Sequence, residues 1–172
     1  VNYYSELCRA MEMIAAKEPR SIFLGQAVGC AGTGMSKSFA GVPKEMLLEM
    51  PVAEDMQLGM SIGLAIAGGL PISVYPRVNF LLCAMSQLVL HLDAIPRYSR
   101  YRPRVIIRTA VGNPEPLNPG PQHLGCYSDA LRMMLKTVQV VDLAEAHEIV
   151  PQYDMAMRRE AATILVEYPE KY

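Results

Sequence analysis

The chain has 172 residues and carries 16 Lys plus Arg against 17 Asp plus Glu, a formal charge of −1. That length suits one domain with a core that needs no disulfide or metal, and near-neutral charge gives no electrostatic footprint for nucleic acid or an acidic membrane. Apolar residues reach 51% while charged ones stop at 19%, below the usual level of about 25%, so much of the surface is expected to lie against other chains.

In chain order, Tyr4 to Lys17 reads as a helix with Leu7, Met11 and Ile14 on one face, stopped by Lys17-Glu18-Pro19. Ile22 to Ala27 is a short apolar run of the buried parallel-strand type, followed by a glycine-rich loop from Gly29 to Gly34. Met46 to Met50 is a second strand, Glu54 to Gly68 a helix and Ile72 to Tyr75 a strand. Phe80 to Ala94 is again helical, and Arg104 to Thr109 is a strand. A long loop from Gly112 to Gly125 precedes helix Ser128 to Lys136, strand Thr137 to Val141, helix Leu143 to Arg159 with a kink or interruption at Pro151, and strand Thr163 to Glu167. This alternation predicts one α/β domain, residues 1–172, with a single doubly wound, mainly parallel sheet and helices on both faces.

Met56 to Pro76 contains no charged residue and is long enough to span a bilayer. The turn signal Gly68-Gly69-Leu70-Pro71 divides it, so a buried helix followed by a buried strand is expected instead. No basic-then-apolar leader opens the sequence and the four cysteines are scattered, which predicts a cytoplasmic protein with free thiols and no metal site. Gly59, Gly63 and Ala67 form a small-residue stripe on the Glu54–Gly68 helix, which is otherwise apolar all round. Burial against a helix of another chain and close packing on its own sheet both account for it.

Three features carry chemistry. Gly29-Cys30-Ala31-Gly32-Thr33-Gly34 resembles a phosphate-binding loop, but Met35 and Ser36 displace Lys37 from the place such a loop needs it. His123 closes a long loop, and histidine is readily tuned for proton transfer. Cys126 could pair with it as a nucleophile, although no orienting Asn or Asp is identifiable. Glu54 stands alone at the head of an apolar helix, either as a carboxylate complementing the helix dipole or as a buried protonated donor.

Pro51-Val52-Ala53-Glu54, then Gly59, Gly63, Ala67-Gly68 and Pro71, resembles the pyrimidine-binding domain of transketolase-like thiamine diphosphate enzymes, above all the beta subunit of the decarboxylase component of 2-oxo acid (pyruvate) dehydrogenases. Asn79-Phe80 with Gln87, Arg108-Thr109, Gly112, Gly120-Pro121-Gln122-His123 and Val166-Glu167-Tyr168-Pro169 follow in the same register, so the likeness runs from about Phe23 to Tyr172. The resemblance implies a thiamine diphosphate-binding fold of pyrimidine-domain type. It implies that Glu54 gives a proton to the ring nitrogen of the cofactor's aminopyrimidine, that Phe80 walls the pyrimidine pocket, and that His123 faces the thiazolium and substrate.

Leu124-Gly125 stands where the family usually has Ser-Gln, and Arg77-Val78 replaces a mostly neutral, aromatic-containing segment. The family's C-terminal domain has no counterpart in this sequence, and no Gly-Asp dipeptide of the diphosphate- and magnesium-binding half occurs. The resemblance therefore implies a partner alpha-type subunit that holds thiamine diphosphate and Mg²⁺, two copies of each chain, and possible supply of the C-terminal domain as another polypeptide. It implies activity on a small 2-oxo acid or ketose only as part of that complex, by decarboxylation or ketol transfer, with the Gly59/Gly63 helix at the contact. A non-catalytic binding or regulatory relative is the alternative that the departures leave open.

Overall fold

The computed structural model describes residues 2–30, 33–115 and 118–172, so Ala31 and Gly32 of the glycine-rich loop and Pro116 and Leu117 of the long loop lie outside the described residues. Its strands are β1 (Ser21–Gly25), β2 (Leu47–Glu49), β3 (Leu70–Tyr75), β4 (Ile106–Ala110), β5 (Gln139–Asp142) and β6 (Thr163–Glu167). They form one sheet in the order β2-β1-β3-β4-β6-β5, and every neighbouring pair is parallel. The chain steps from β1 through the short helix α2 (Gly34–Lys37) outward to β2 and then crosses back to β3 on the other side of β1. That reversal opens a crevice at the carboxyl ends of β1 and β3, the place where doubly wound sheets bind ligands.

Side chains alternate across the sheet into two cores. Leu70, Ile72 and Val74 of β3 meet α1 (Tyr3–Lys17) and α7 (Ala146–Arg158) through Leu7, Met11, Ile14, Ile149 and Tyr153. Tyr75, Ile107, Ile164 and Val166 point the other way, against Leu58 and Ile62 of α3 (Glu54–Ile66) and Leu131 of α6 (Ser128–Met134). The expected helices on both faces are thus present, and β3, β4 and β6 are buried along their whole length because they are covered on both sides.

Three local readings change. Pro71 belongs to β3 and not to the preceding turn. Leu70 N–H donates toward β1, to Arg20 O at 3.0 Å, so the missing N–H of Pro71 falls on the β4 side, where pairing begins only at Ile72. Segment 80–94 is not one helix. It runs through α4 (Val78–Leu81), a 3₁₀ turn (Leu82–Ala84), a π-helical stretch (Ser86–Leu92) and α5 (Ile95–Tyr98). Pro96 at the start of α5 has no N–H to continue the preceding ladder, which forces a new beginning there. α7, by contrast, passes through Pro151 as one helix and is not interrupted.

The stretch 56–76 is helix then strand, and among the described residues no single helix is long and apolar enough to cross a membrane. α3 is not buried all round. Gln57, Leu58, Ser61 and Ile62 face the sheet, whereas Met56 is 51% exposed and Ile66 43%. The small-residue stripe divides accordingly. A Cβ on Gly59 would lie 3.5 Å from Gln87 of the π stretch, while one on Gly63 would meet nothing within 4 Å.

Candidate active site

Glu54 opens the first turn of α3 and is only 8% exposed. Its Oε1 accepts a hydrogen bond from Gln26 Nε2 at 3.1 Å, and among the described residues Oε2 takes none. The helix start beneath it is fixed by buried polar side chains. Tyr75 Oη donates to the Glu54 carbonyl at 3.3 Å, and Gln57 Nε2 donates to Ser73 Oγ at 3.1 Å and Val74 O at 3.0 Å. Burial dominates the Tyr75 phenol and holds it well above its ordinary range, so it stays neutral and serves as a donor.

Asp55, the next residue, reaches the π stretch by accepting from Ser86 Oγ at 2.6 Å and Gln87 Nε2 at 3.3 Å. The Ser86 bond, then the Gln87 bond, holds its carboxyl below the usual carboxylate range. The π turn presents Ser86 and Gln87 together to this carboxylate, in keeping with the frequent placement of such turns near functional sites.

Phe80 and His123 come together although 43 residues separate them, their ring centroids 5.5 Å apart and tilted by 51°. Asn79 makes the tie, its Nδ2 donating to Gln122 O at 2.7 Å. Two polar atoms here, Asn79 Oδ1 and His123 Nδ1, are buried without a partner among the described residues. Buried polar groups are normally satisfied, so the pair marks a place where a ligand or an ordered water belongs. Among the described residues, no hydrogen bond or ring contact joins Glu54 to Phe80 or His123 directly. Cys126 does not bond His123 either; its Sγ lies 3.8 Å from Ser128 Oγ, which itself donates to Asp142 Oδ1 at 2.6 Å.

A cleft of about 510 Å³ lies over the carboxyl ends of β1, β3 and β4, lined by Ala27, Arg77 and Val111 together with Gly34 and Tyr172. Arg77 makes no side-chain hydrogen bond or ion pair among the described residues, so the departure noted in the sequence places a guanidinium on this rim. Within the glycine-rich loop Gly29–Gly34, Gly29 N–H is already engaged, donating to the Glu49 carboxylate at 2.6 Å beside the preceding Val28 N–H at 2.9 Å. Among the described residues no three His, Cys, Asp or Glu side chains gather as a metal site. Gln26 and Glu49 escaped the sequence reading. Glu49 ends a strand 20 to 22 residues beyond the turn residues it binds, and no local pattern joins the two.

No family model matches the chain. Among curated proteins it is 30% identical over 117 residues to the pyruvate dehydrogenase E1 component subunit beta of Mycoplasma pneumoniae, covering 64% of this chain and 36% of that protein. The corresponding subunit of Mycoplasma genitalium is 28% identical over 118 residues, with 65% and 36% covered. The chain therefore spans about a third of the length of these relatives.

Among solved structures, a transketolase from Campylobacter jejuni matches 95% of this chain and 25% of its own, with a TM-score of 0.76 at 11% identity. Transketolase from Leishmania mexicana gives 0.74 at 19%, over 95% of this chain and 24% of its own. A split-gene transketolase described as an inactive beta4 tetramer gives 0.66 at 20%, over 96% and 51%. Over 64–65% of its length the chain is a distant relative of pyruvate dehydrogenase E1 beta subunits, and it shares its fold with part of each transketolase.

Proposed function

We propose that this chain is the beta-type, pyrimidine-domain subunit of a split thiamine diphosphate-dependent enzyme that cleaves or transfers a carbon–carbon bond next to a carbonyl. The observation that carries the reading is Glu54: a carboxyl group at the sheltered start of α3, one oxygen held by Gln26 and the other unengaged among the described residues. The residues present fit the aminopyrimidine half of the cofactor. Phe80 offers a half-buried aromatic face, and the unpartnered Asn79 Oδ1 and His123 Nδ1 offer polar atoms beside it.

When bound, thiamine diphosphate supplies an electron sink for the carbanion left by breaking a bond next to a carbonyl. Glu54 would hold a proton at Oε2 for a ring nitrogen of the bound group, with Oε1 kept as an acceptor by Gln26. His123, pressed against Phe80 and tied by Asn79, exchanges a proton with substrate or stabilises its charge. The open face of α3 around Met56 and Gly63 docks an alpha-type subunit, which carries the diphosphate and Mg²⁺. Two copies of each complete the assembly, and the isolated chain is inactive.

The test is co-purification of the chain with its partner, assayed for 2-oxo acid decarboxylation and for ketol transfer. Glu54→Ala is expected to lower turnover by roughly 10²-fold or more. Unchanged turnover in that variant would remove Glu54 from the chemistry. Cofactor binding without any turnover by the wild-type complex would make the chain a binding or regulatory relative.

A further inference from the structure

The turn after β1 is fixed more firmly than a surface turn requires. Glu49, at the end of β2, accepts from Ala27 N at 3.0 Å through Oε1 and from Val28 and Gly29 N at 2.9 and 2.6 Å through Oε2. Burial alone would raise the proton affinity of Glu49, yet the N–H groups of Gly29, Ala27, Val28 and Cys30 outweigh it and hold the carboxyl below its ordinary range. The carboxylate thus occupies a nest of backbone donors, the arrangement that otherwise captures anions.

The other end of the turn is fixed by Gly25. A Cβ at that position would stand 2.2 Å from Val74 O, and its φ of +146° suits glycine alone. Ala27 has a φ of 59°, the one positive value among the described residues other than glycine. A left-handed residue with a Cβ persists only where its surroundings over-determine it, and such residues cluster at functional sites. Gln26 lies between the two fixed points, and its Nε2 donates to Glu54 Oε1 at 3.1 Å.

We infer that Glu49 and Gln26 are positioning residues for Glu54. Glu49 locks the turn in its left-handed course, the turn aims the Gln26 amide, and the amide selects Oε1 of Glu54, leaving Oε2 for the reacting ligand. The inference rests on the proposed role of Glu54 for its meaning in turnover, but its geometry is testable without turnover.

In the ¹⁵N-labelled full chain, the Gln26 side-chain amide is expected at a hydrogen-bonded shift. Glu49→Gln and Glu54→Ala should each return it to the free-amide position. In the complex, Gln26→Ala and Glu49→Gln are each expected to lower kcat about tenfold at unchanged KM, and the double variant also only about tenfold, because both act through one hydrogen bond. Should Glu49→Gln fail to fold, Glu49→Asp, whose shorter side chain draws the carboxylate back from the turn amides, takes its place in both measurements. A Gln26 amide indifferent to Glu49, or losses that multiply to about a hundredfold, would overturn the inference. A wild-type complex inert toward 2-oxo acids and ketoses would sink the proposed function instead, and the amide shift would still decide the positioning.

Discussion

The Arg108 guanidinium grips the Glu167 carboxylate with two hydrogen bonds, Nε to Oε1 at 2.5 Å and a second nitrogen to Oε2 at 3.2 Å, and both side chains are fully buried. Ser38 Oγ accepts from the same guanidinium at 2.7 Å, the Phe39 ring lies 5.0 Å beneath it, and Tyr153 and Tyr172 donate to Glu167 at 3.1 and 2.6 Å. Every nitrogen of Arg108 and both carboxylate oxygens of Glu167 thereby have a partner. Truncating one side leaves a buried charge alone, so Arg108→Met should cost about 3–5 kcal/mol in urea unfolding. Tyr153→Phe removes one bond of several and should cost roughly 1 kcal/mol.

Asp93 binds the start of the β5 approach in the same spirit. Its Oδ1 accepts from Lys136, Thr137 and Val138 N at 2.8, 2.7 and 3.0 Å. Burial pulls its proton affinity up, but the Thr137, Val138 and Lys136 amides prevail and lower it. The folded value therefore sits below the unfolded one of about 3.9, so the stabilisation is complete above that pH and fades as the pH falls through the folded value. Asp93→Ala should lose about 3 kcal/mol at neutral pH and show a flatter acid limb in a series of unfolding curves.

Asn79 is expected to matter more for placement than for stability. Asn79→Ala frees Gln122 O and should cost only about 1 kcal/mol. The ring-current shift that Phe80 imposes on the His123 protons should nevertheless collapse, since the loop is no longer pinned beside the ring. Proton NMR of the histidine side chain reads this directly, and an unchanged shift would show that Asn79 does not hold the loop.

Gly63 faces open space on α3, so a side chain fits there without a clash. Gly63→Glu should leave the chain folded, with a helix-propensity gain of up to about 1 kcal/mol. The same change sets a charge in the middle of the proposed contact and should abolish co-elution with the partner subunit on size exclusion. Retained assembly would move the interface elsewhere.

The strands are legible because short apolar runs such as Ile164–Val166 within Thr163–Glu167 leave little choice once both faces are covered. Segment 80–94 was not, because the apolar pattern of a helix does not register whether its ladder is 3₁₀, α or π. The likeness of Pro51–Glu54, Asn79-Phe80 and Gln122-His123 to a known family brought Glu54, Phe80 and His123 forward, and the fold then places the last two ring to ring. Arg108 and Glu167 did leave a trace, as opposite charges inside buried runs. Gln26 left none, since its importance depends on the direction of a single turn.

That turn sets stability against aim. Ala27 holds a backbone conformation that costs a residue with a Cβ about 1–2 kcal/mol, and glycine would relieve it. The relief would also widen what residues 26–29 can do. A sequence optimised for robustness alone would put glycine there; alanine narrows the turn toward one course, and what it narrows is the freedom of Gln26 to look away from Glu54.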